Sequence, residues 1–322
     1  MKDWRVPLRP QKKTMDETLQ KTSNRKFLIA IGALMAVLIV LLTLSLSSQK
    51  EKGVEPPKYA SAFLNIDIEA QSAIVLNVKT GKIIFSKNDL SPRPLASLTK
   101  LMTVFTAASI LKDGATVTVG SNDIKTEGDS GLRIGEKFPL KNLIDFTLVG
   151  SSNDAASALA SAAKALLPQG VDFSSKMNAV SHDLGLTGFL FENSSGLDGN
   201  SVSSGAYGTA RDMANLFAHI LKTKPELISA TRYETITVNS ENGLKHRAVN
   251  TNEALPFIPG LIGGKTGFTE LSQGNLAVVF DPGLGNPYVV VVLGSSEKGR
   301  FTDVRKLVSA ILSSNKFGEG VK

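Results

Sequence analysis

An uncharged run of 21 residues from Phe27 to Ser47, FLIAIGALMAVLIVLLTLSLS, constrains this chain more than any other feature. At ~1.5 Å per residue it would extend roughly 31 Å as a helix, about the thickness of one bilayer core. Lys2, Arg5, Arg9, Lys12, Lys13, Lys21, Arg25 and Lys26 precede it, and the positive-inside rule then puts the N-terminus in the cytoplasm and residues 48–322 outside. The run is longer than the usual ~7–15-residue apolar region of a signal peptide, and Ser45-Leu46-Ser47 is a weak cleavage site, so an uncleaved anchor is expected. The organisation expected is a basic cytoplasmic segment at 1–26, a transmembrane anchor at 27–47, a linker at 48–59 stiffened by Pro56-Pro57, a folded domain at 60–315 and a tail at 316–322. The expected location is the cytoplasmic membrane, in a single pass with the domain extracytoplasmic.

The pI of about 9.4 would ordinarily suggest a polyanionic partner. Its origin argues otherwise, because residues 1–50 hold nine Lys or Arg against three Asp or Glu, and the remainder holds 27 against 26. The near-neutral bulk removes the support for nucleic-acid binding. There is no cysteine, which excludes disulfides, thiol catalysis and cysteine-ligated metal, and an exported domain of this length is stable on its core alone.

Two β-rich runs, SAIVLNV (72–78) and KIIFSKN (82–88), flank Lys79-Thr80-Gly81 and read as a hairpin. The period then changes. Residues 97–111 are apolar on nearly every side, as in a helix buried inside a domain. Helical patterns follow at 140–149, 153–166, 172–184 and 209–222, and Ser151, Ser152 and Asn153 supply capping residues for the second of these. Strands return at 235–238, at 264–268, at 275–280 and at 288–294, before a final amphipathic helix at about 300–314. Helices in the middle and strands at both ends imply an α+β domain, with an antiparallel sheet that joins N- and C-terminal strands, flanking helices and a helical subdomain.

Three short patterns carry possible chemistry. Ser97 and Lys100 are three residues apart, on one face of a helix, where a partly desolvated lysine has a lowered pKa and can act as a base toward a hydroxyl. The same spacing occurs seven times, from Ser23, Ser47, Ser97, Ser109, Ser161, Ser295 and Ser313, so the pattern alone also fits a helix cap with a lysine reaching to solvent. Ser161 with Lys164 lies inside a helix pattern and is expected to be packing. Ser151-Ser152-Asn153 is an ordinary helix start by itself. Lys265-Thr266-Gly267 follows Gly263-Gly264 and begins a strand that a substrate could approach closely, whereas its copy at Lys79 sits at a hairpin tip.

With these three in order, the chain resembles the penicillin-recognising serine enzymes, specifically the low-mass D-alanyl-D-alanine carboxypeptidases. The likeness runs over about residues 60–315 and includes RPLASLTKLMT, SSNDAA, NSSGLDGNSVSSGAYGTARDMA and GGKTGFTELSQGNLAVV. It implies the serine β-lactamase and D,D-peptidase fold, with Ser97 as the acylated nucleophile, Lys100 as its base and Ser151 as the relay to the leaving amine. It further implies that Asn153 holds the substrate amide, that Lys265 and Thr266 bind the terminal carboxylate, that Gly267 belongs to the same binding stretch, and that the N–H groups of Ser97 and Phe268 form the oxyanion hole. No cofactor or metal is implied. The implied partners are peptidoglycan stem peptides, β-lactams as acylating inhibitors and the membrane through the N-terminal helix, with the anchor replacing the C-terminal tether that relatives often carry. The function expected is removal of the terminal D-alanine from stem peptides. A D,D-endopeptidase would use the same residues, a β-lactamase would need a deacylating carboxylate for which Glu192 is the nearby candidate, and an inert peptidoglycan-binding module would have lost part of the set. Ser152 departs from the glycine usual at that position and is expected to narrow the cleft.

Overall fold

Valine-rich runs in the last third of the chain are apolar at every position rather than at alternate ones, which requires strands covered on both faces. The computed structural model describes residues 29, 31–42, 60–283 and 285–316, and the chain divides into two units, 1–55 and 56–322. In the second unit the strands of the main sheet are β1 (Ser72–Asn77), β2 (Ile83–Lys87), β3 (Leu261–Thr269), β4 (Gln273–Phe280) and β5 (Tyr288–Ser295). They form one sheet in the order β3-β4-β5-β1-β2. All its pairings are antiparallel, with Val75 opposite Val290 and Lys265 opposite Ala277. The N-terminal strand thus lies beside the last strand, as the sequence leads one to expect.

The longer helices of this unit are α1 (Thr99–Ile110), α2 (Leu140–Val149), α3 (Asn153–Lys164), α4 (Phe173–Asp183), α5 (Ala210–Thr223) and α6 (Gly299–Lys316). Ile74 and Leu76 of β1 and Val289, Val291 and Leu293 of β5 face a core shared with α1 to α5. Ala73 and Val75 with Val290 and Val292 face a second core closed by Val304, Leu307, Val308 and Ile311 of α6. Strand alternation therefore distributes one apolar run between two cores. Buried Asp303 ties α6 to the sheet, accepting from the backbone N–H of Glu69 (3.1 Å) and Ala70 (2.8 Å) and from Ser295 Oγ (2.7 Å).

Residues Thr99 to Ala107 of α1 are all buried, including Lys100 and Thr103, so this helix runs through the interior of the helical layer. Thr235–Asn239 pairs with Lys245–Val249 as a separate hairpin and does not join the main sheet.

The N-terminal expectation needs correction. The described helical residues within 27–47 are 29 and 31–42, and twelve residues in helix reach only about 18 Å. Among the described residues no helix is long and apolar enough to cross a membrane, which overturns the single-pass location and removes the support for membrane attachment through this helix. Hydropathy counts uncharged residues, but a span needs about 20 of them in one continuous helix. The segment 1–26, the linker 48–59 and residues 317–322 lie outside the described residues.

Candidate active site

Ser97 owes its position to an abrupt change of direction. Arg93–Pro94 pairs with Tyr207–Gly208 as a short strand, and Leu95 donates its N–H to Ala206 O at 3.0 Å. Ala96 then adopts φ 46°, a left-handed conformation that is uncommon outside glycine and strained by roughly 1 kcal/mol or more. A 3₁₀ turn, Ala96–Leu98, follows before α1 begins at Thr99. Ser97 is thus held in a tight turn ahead of the α-helix, which begins at Thr99 rather than at residue 97 as expected. Thr99 Oγ1 braces the turn by donating to Ala96 O at 2.7 Å.

One turn on, Lys100 has no solvent exposure. Its Nζ donates to Ser97 Oγ (2.8 Å), Asn153 Oδ1 (2.7 Å) and the carbonyl of Ser195 (2.8 Å). Three acceptors match the three protons of the ammonium, yet burial still pushes the pKa down to about 7.

A second amine–hydroxyl pair faces the first. Lys265 Nζ, from β3, donates to Ser151 Oγ at 2.8 Å and to Thr266 O at 2.9 Å. Burial, then the charges of Lys100 and Arg300, hold its pKa well below the ordinary lysine value. Ser151 is another left-handed non-glycine residue, at φ 57°. Its neighbour Ser152 turns the other way and caps α3, accepting from Ala155 N–H at 3.0 Å and donating to Ser130 Oγ at 2.7 Å. Ser152 therefore latches the 123–131 segment, where the sequence suggested a narrowed cleft. Asn153 is oriented at both ends, by Lys100 at Oδ1 and by Glu127 O, which accepts from its Nδ2 at 2.6 Å.

The β3 backbone passes close to the Ser97 turn. A Cβ on Gly267 would lie 2.7 Å from Leu95 O and 3.2 Å from Ser97 N, so only glycine permits this approach. Arg300 Nη1 donates to Gly267 O at 2.8 Å, and its guanidinium lies 5.7 Å from the ring centre of half-exposed Phe268. Thr266 Oγ1 is paired with Thr251 Oγ1. The structure therefore joins Ser97, Lys100 and Asn153 in one hydrogen-bonded chain and Ser151, Lys265 and Thr266 in another, with Gly267 against the serine turn.

A family profile for D-alanyl-D-alanine carboxypeptidase (peptidase S11) matches residues 55–297. The chain belongs to this family. It is 29% identical over 253 residues to the D-alanyl-D-alanine carboxypeptidase DacF of Bacillus subtilis, a match covering 76% of this chain and 62% of that protein, so it spans less than two thirds of that relative's length. It is 28% identical over 282 residues to a D-alanyl-D-alanine endopeptidase of Pseudomonas aeruginosa, covering 84% and 86% of the two chains. Among solved structures, penicillin-binding protein D2 of Listeria monocytogenes in its ampicillin-bound form superposes with a TM-score of 0.62 at 28% identity, covering 76% of this chain and 98% of that one. The fold is that of the penicillin-recognising serine hydrolases.

The other copies of the family motifs have structural roles. Lys79 and Thr80 are exposed at the β1–β2 turn, where Thr80 N–H donates to Asn77 Oδ1. Ser161 does not pack among the alanines of α3: it is exposed and donates to Asp123 Oδ1 at 2.7 Å. Glu192 is exposed and engaged through its backbone. His246 pairs with Glu136 at 2.6 Å and His219 stacks edge-on against Phe105, so among the described contacts no histidine reaches Ser97 or Lys100. Sequence reasoning missed Arg300, which lies 33 residues beyond Gly267 in a motif-free stretch, and the carbonyls of Ser195 and Glu127, which no side-chain pattern encodes.

Proposed function

We propose that this protein is a serine-type D-alanyl-D-alanine carboxypeptidase that removes the terminal D-alanine of peptidoglycan stem peptides through an acyl-enzyme on Ser97. The observation that carries the reading is the buried amine of Lys100, with its pKa lowered to about 7, lying 2.8 Å from Ser97 Oγ. A neutral amine there takes the hydroxyl proton as Oγ bonds to the penultimate D-alanine carbonyl carbon. Backbone N–H groups of Ser97 and Phe268 receive the oxyanion. Ser151, bonded to Lys265, passes a proton to the leaving nitrogen as the C–N bond breaks. Lys100 gives up the proton it took to replace the one lost by Ser151 and is again a neutral amine. Water then cleaves the ester, giving its proton to Lys100 and its hydroxyl to the acyl carbon, and Lys100 returns that proton to Ser97 Oγ as the C–O bond breaks. Asn153 holds the substrate amide, while Lys265, Thr266 and Arg300 form the cationic end that receives the terminal carboxylate, with Gly267 allowing close approach. In this reading residues 60–315 form the catalytic domain, and β-lactams acylate Ser97.

The test is intact mass after incubation with penicillin, together with free D-alanine released from a D-Ala-D-Ala peptide. A lasting adduct mapped to Ser97 with D-alanine release is expected; no adduct on folded protein would reject the reading in favour of an inert binding module. The exposed position of Glu192 gives no support to rapid lactam turnover. The endopeptidase relative favours a second reading on the same residues, cleavage of D-Ala-linked cross-bridges, which would convert cross-linked dimers to monomers without releasing free D-alanine.

A further inference from the structure

A lysine that acts as a base at a serine must aim its lone pair, and a neutral amine has one lone pair and two N–H groups. In this site two acceptors besides Ser97 Oγ surround Lys100 Nζ: Asn153 Oδ1 at 2.7 Å and Ser195 O at 2.8 Å. If each takes one N–H, the lone pair faces Ser97. Asn153 is placed by α3 and by Glu127. Ser195 O belongs to a loop, and its position depends on what shapes that loop.

The loop is organised around one side chain. Asn193 Oδ1 accepts from Ser195 N–H (3.1 Å), Ser195 Oγ (3.2 Å) and Gly196 N–H (2.7 Å), and Asn193 Nδ2 donates to Leu197 O at 2.9 Å. The loop is fitted along α1, where Thr103 Oγ1 donates to Ser194 O at 2.6 Å. A Cβ on Gly196 would fall 1.9 Å from Ala96 O, and one on Gly205 would fall 2.2 Å from Asn193 Nδ2. Asn193 is therefore enclosed from behind, and its four bonds set the plane of the peptide that presents Ser195 O.

We infer that Asn193 is a positioning residue for acylation, which holds the Ser195 carbonyl on Lys100 so that the neutral amine points its lone pair at Ser97. Asn193 touches neither Ser97 nor the carboxylate-binding end at Lys265, so its effect falls on the chemical step. The inference rests on the acyl-enzyme reading.

The experiment separates the penicillin dissociation constant from the acylation rate constant, by rapid-quench kinetics on the parent, Asn193→Ala and Asn193→Asp. For folded Asn193→Ala the acylation constant should fall tenfold or more, with the dissociation constant within about twofold of the parent. Asn193→Asp keeps the acceptor for Ser195 and Gly196, loses the donor to Leu197 and adds a negative charge two hydrogen bonds from Lys100. Its acylation profile should move to higher pH by about one unit, because a nearby anion favours the ammonium; Lys265 and Arg300 are unchanged in both variants. An unaltered acylation constant in Asn193→Ala, an effect confined to binding, or an unmoved profile in Asn193→Asp would each overturn the inference. Should the alanine variant not fold, the isosteric aspartate variant carries the test, and failure of both to fold would make Asn193 a folding residue and reject the role. A parent that penicillin does not acylate would reject the function proposed above rather than this role.

Discussion

At the scale of single residues, Lys100 ties activity and stability to the same proton. Below pH 7 the amine is charged and cannot accept from Ser97, so acylation should fall by about tenfold per pH unit and level off above pH 7, read from penicillin acylation against pH. A variant with His182, His219 and His246 all replaced by glutamine should keep this profile, and its loss in a folded variant would transfer the ionisation from lysine to histidine. Lys100→Arg should fold and fail to acylate, since guanidinium stays protonated. The stability consequence has a definite sign. Between about pH 7 and the unfolded lysine value of ~10.4, the unfolded chain binds a proton that the native state does not, so stability rises with pH across that window. The span corresponds to a few kcal/mol, and thermal unfolding of Lys100→Met should lack that part of the rise. The two Lys-Thr-Gly copies separate cleanly: Lys265→Ala should slow acylation by orders of magnitude and exposed Lys79→Ala should leave it nearly unchanged, and equal losses in folded variants would refute the assignment of the carboxylate-binding role to Lys265.

At the scale of elements, the site depends on how helix and strand ends meet. Ser152 begins α3 as its N-cap and also holds Ser130, in the segment that brings Glu127 O to Asn153. Ser152→Ala should cost about 1 kcal/mol from the cap, measured by chemical denaturation, and should weaken substrate binding more than it slows chemistry. The sequence made these elements legible unevenly. Apolar runs located β1, β4, β5 and the buried helix because burial on both faces leaves a composition signal, whereas β2 is half-exposed and was legible only beside its hairpin turn, and β3 is rich in glycine. The 3₁₀ turn at Ala96–Leu98 left none, since alanine does not advertise a left-handed φ. The motif side chains Ser97, Lys100, Asn153 and Lys265 could be read through a family likeness, but the carbonyls that orient them belong to residues of any type, and Arg300 is an isolated cation until folding places it beneath Gly267. The 21-residue uncharged run misled for the converse reason, because absence of charge does not by itself specify a membrane-spanning helix, and none is found among the described residues.

At the scale of the whole molecule, α6 closes one face of the sheet and β5 runs through its middle, and a chain ending before Tyr288 would leave β1 and β4 without the strand between them. Such a truncation should show no cooperative unfolding transition and no penicillin labelling, although it retains Ser97, Lys100, Ser151 and Lys265. The sheet order has a further consequence, for the timing of synthesis. β1 and its partner β5 are the first and last strands made, with Asn77 opposite Tyr288. At ~5–20 residues per second a ribosome needs roughly 10–40 s to deliver the second after the first. Throughout that interval the strand SAIVLN has β2 as a neighbour but leaves its other edge open, so a nascent chain of this family must be kept from aggregating until nearly its last helix has emerged.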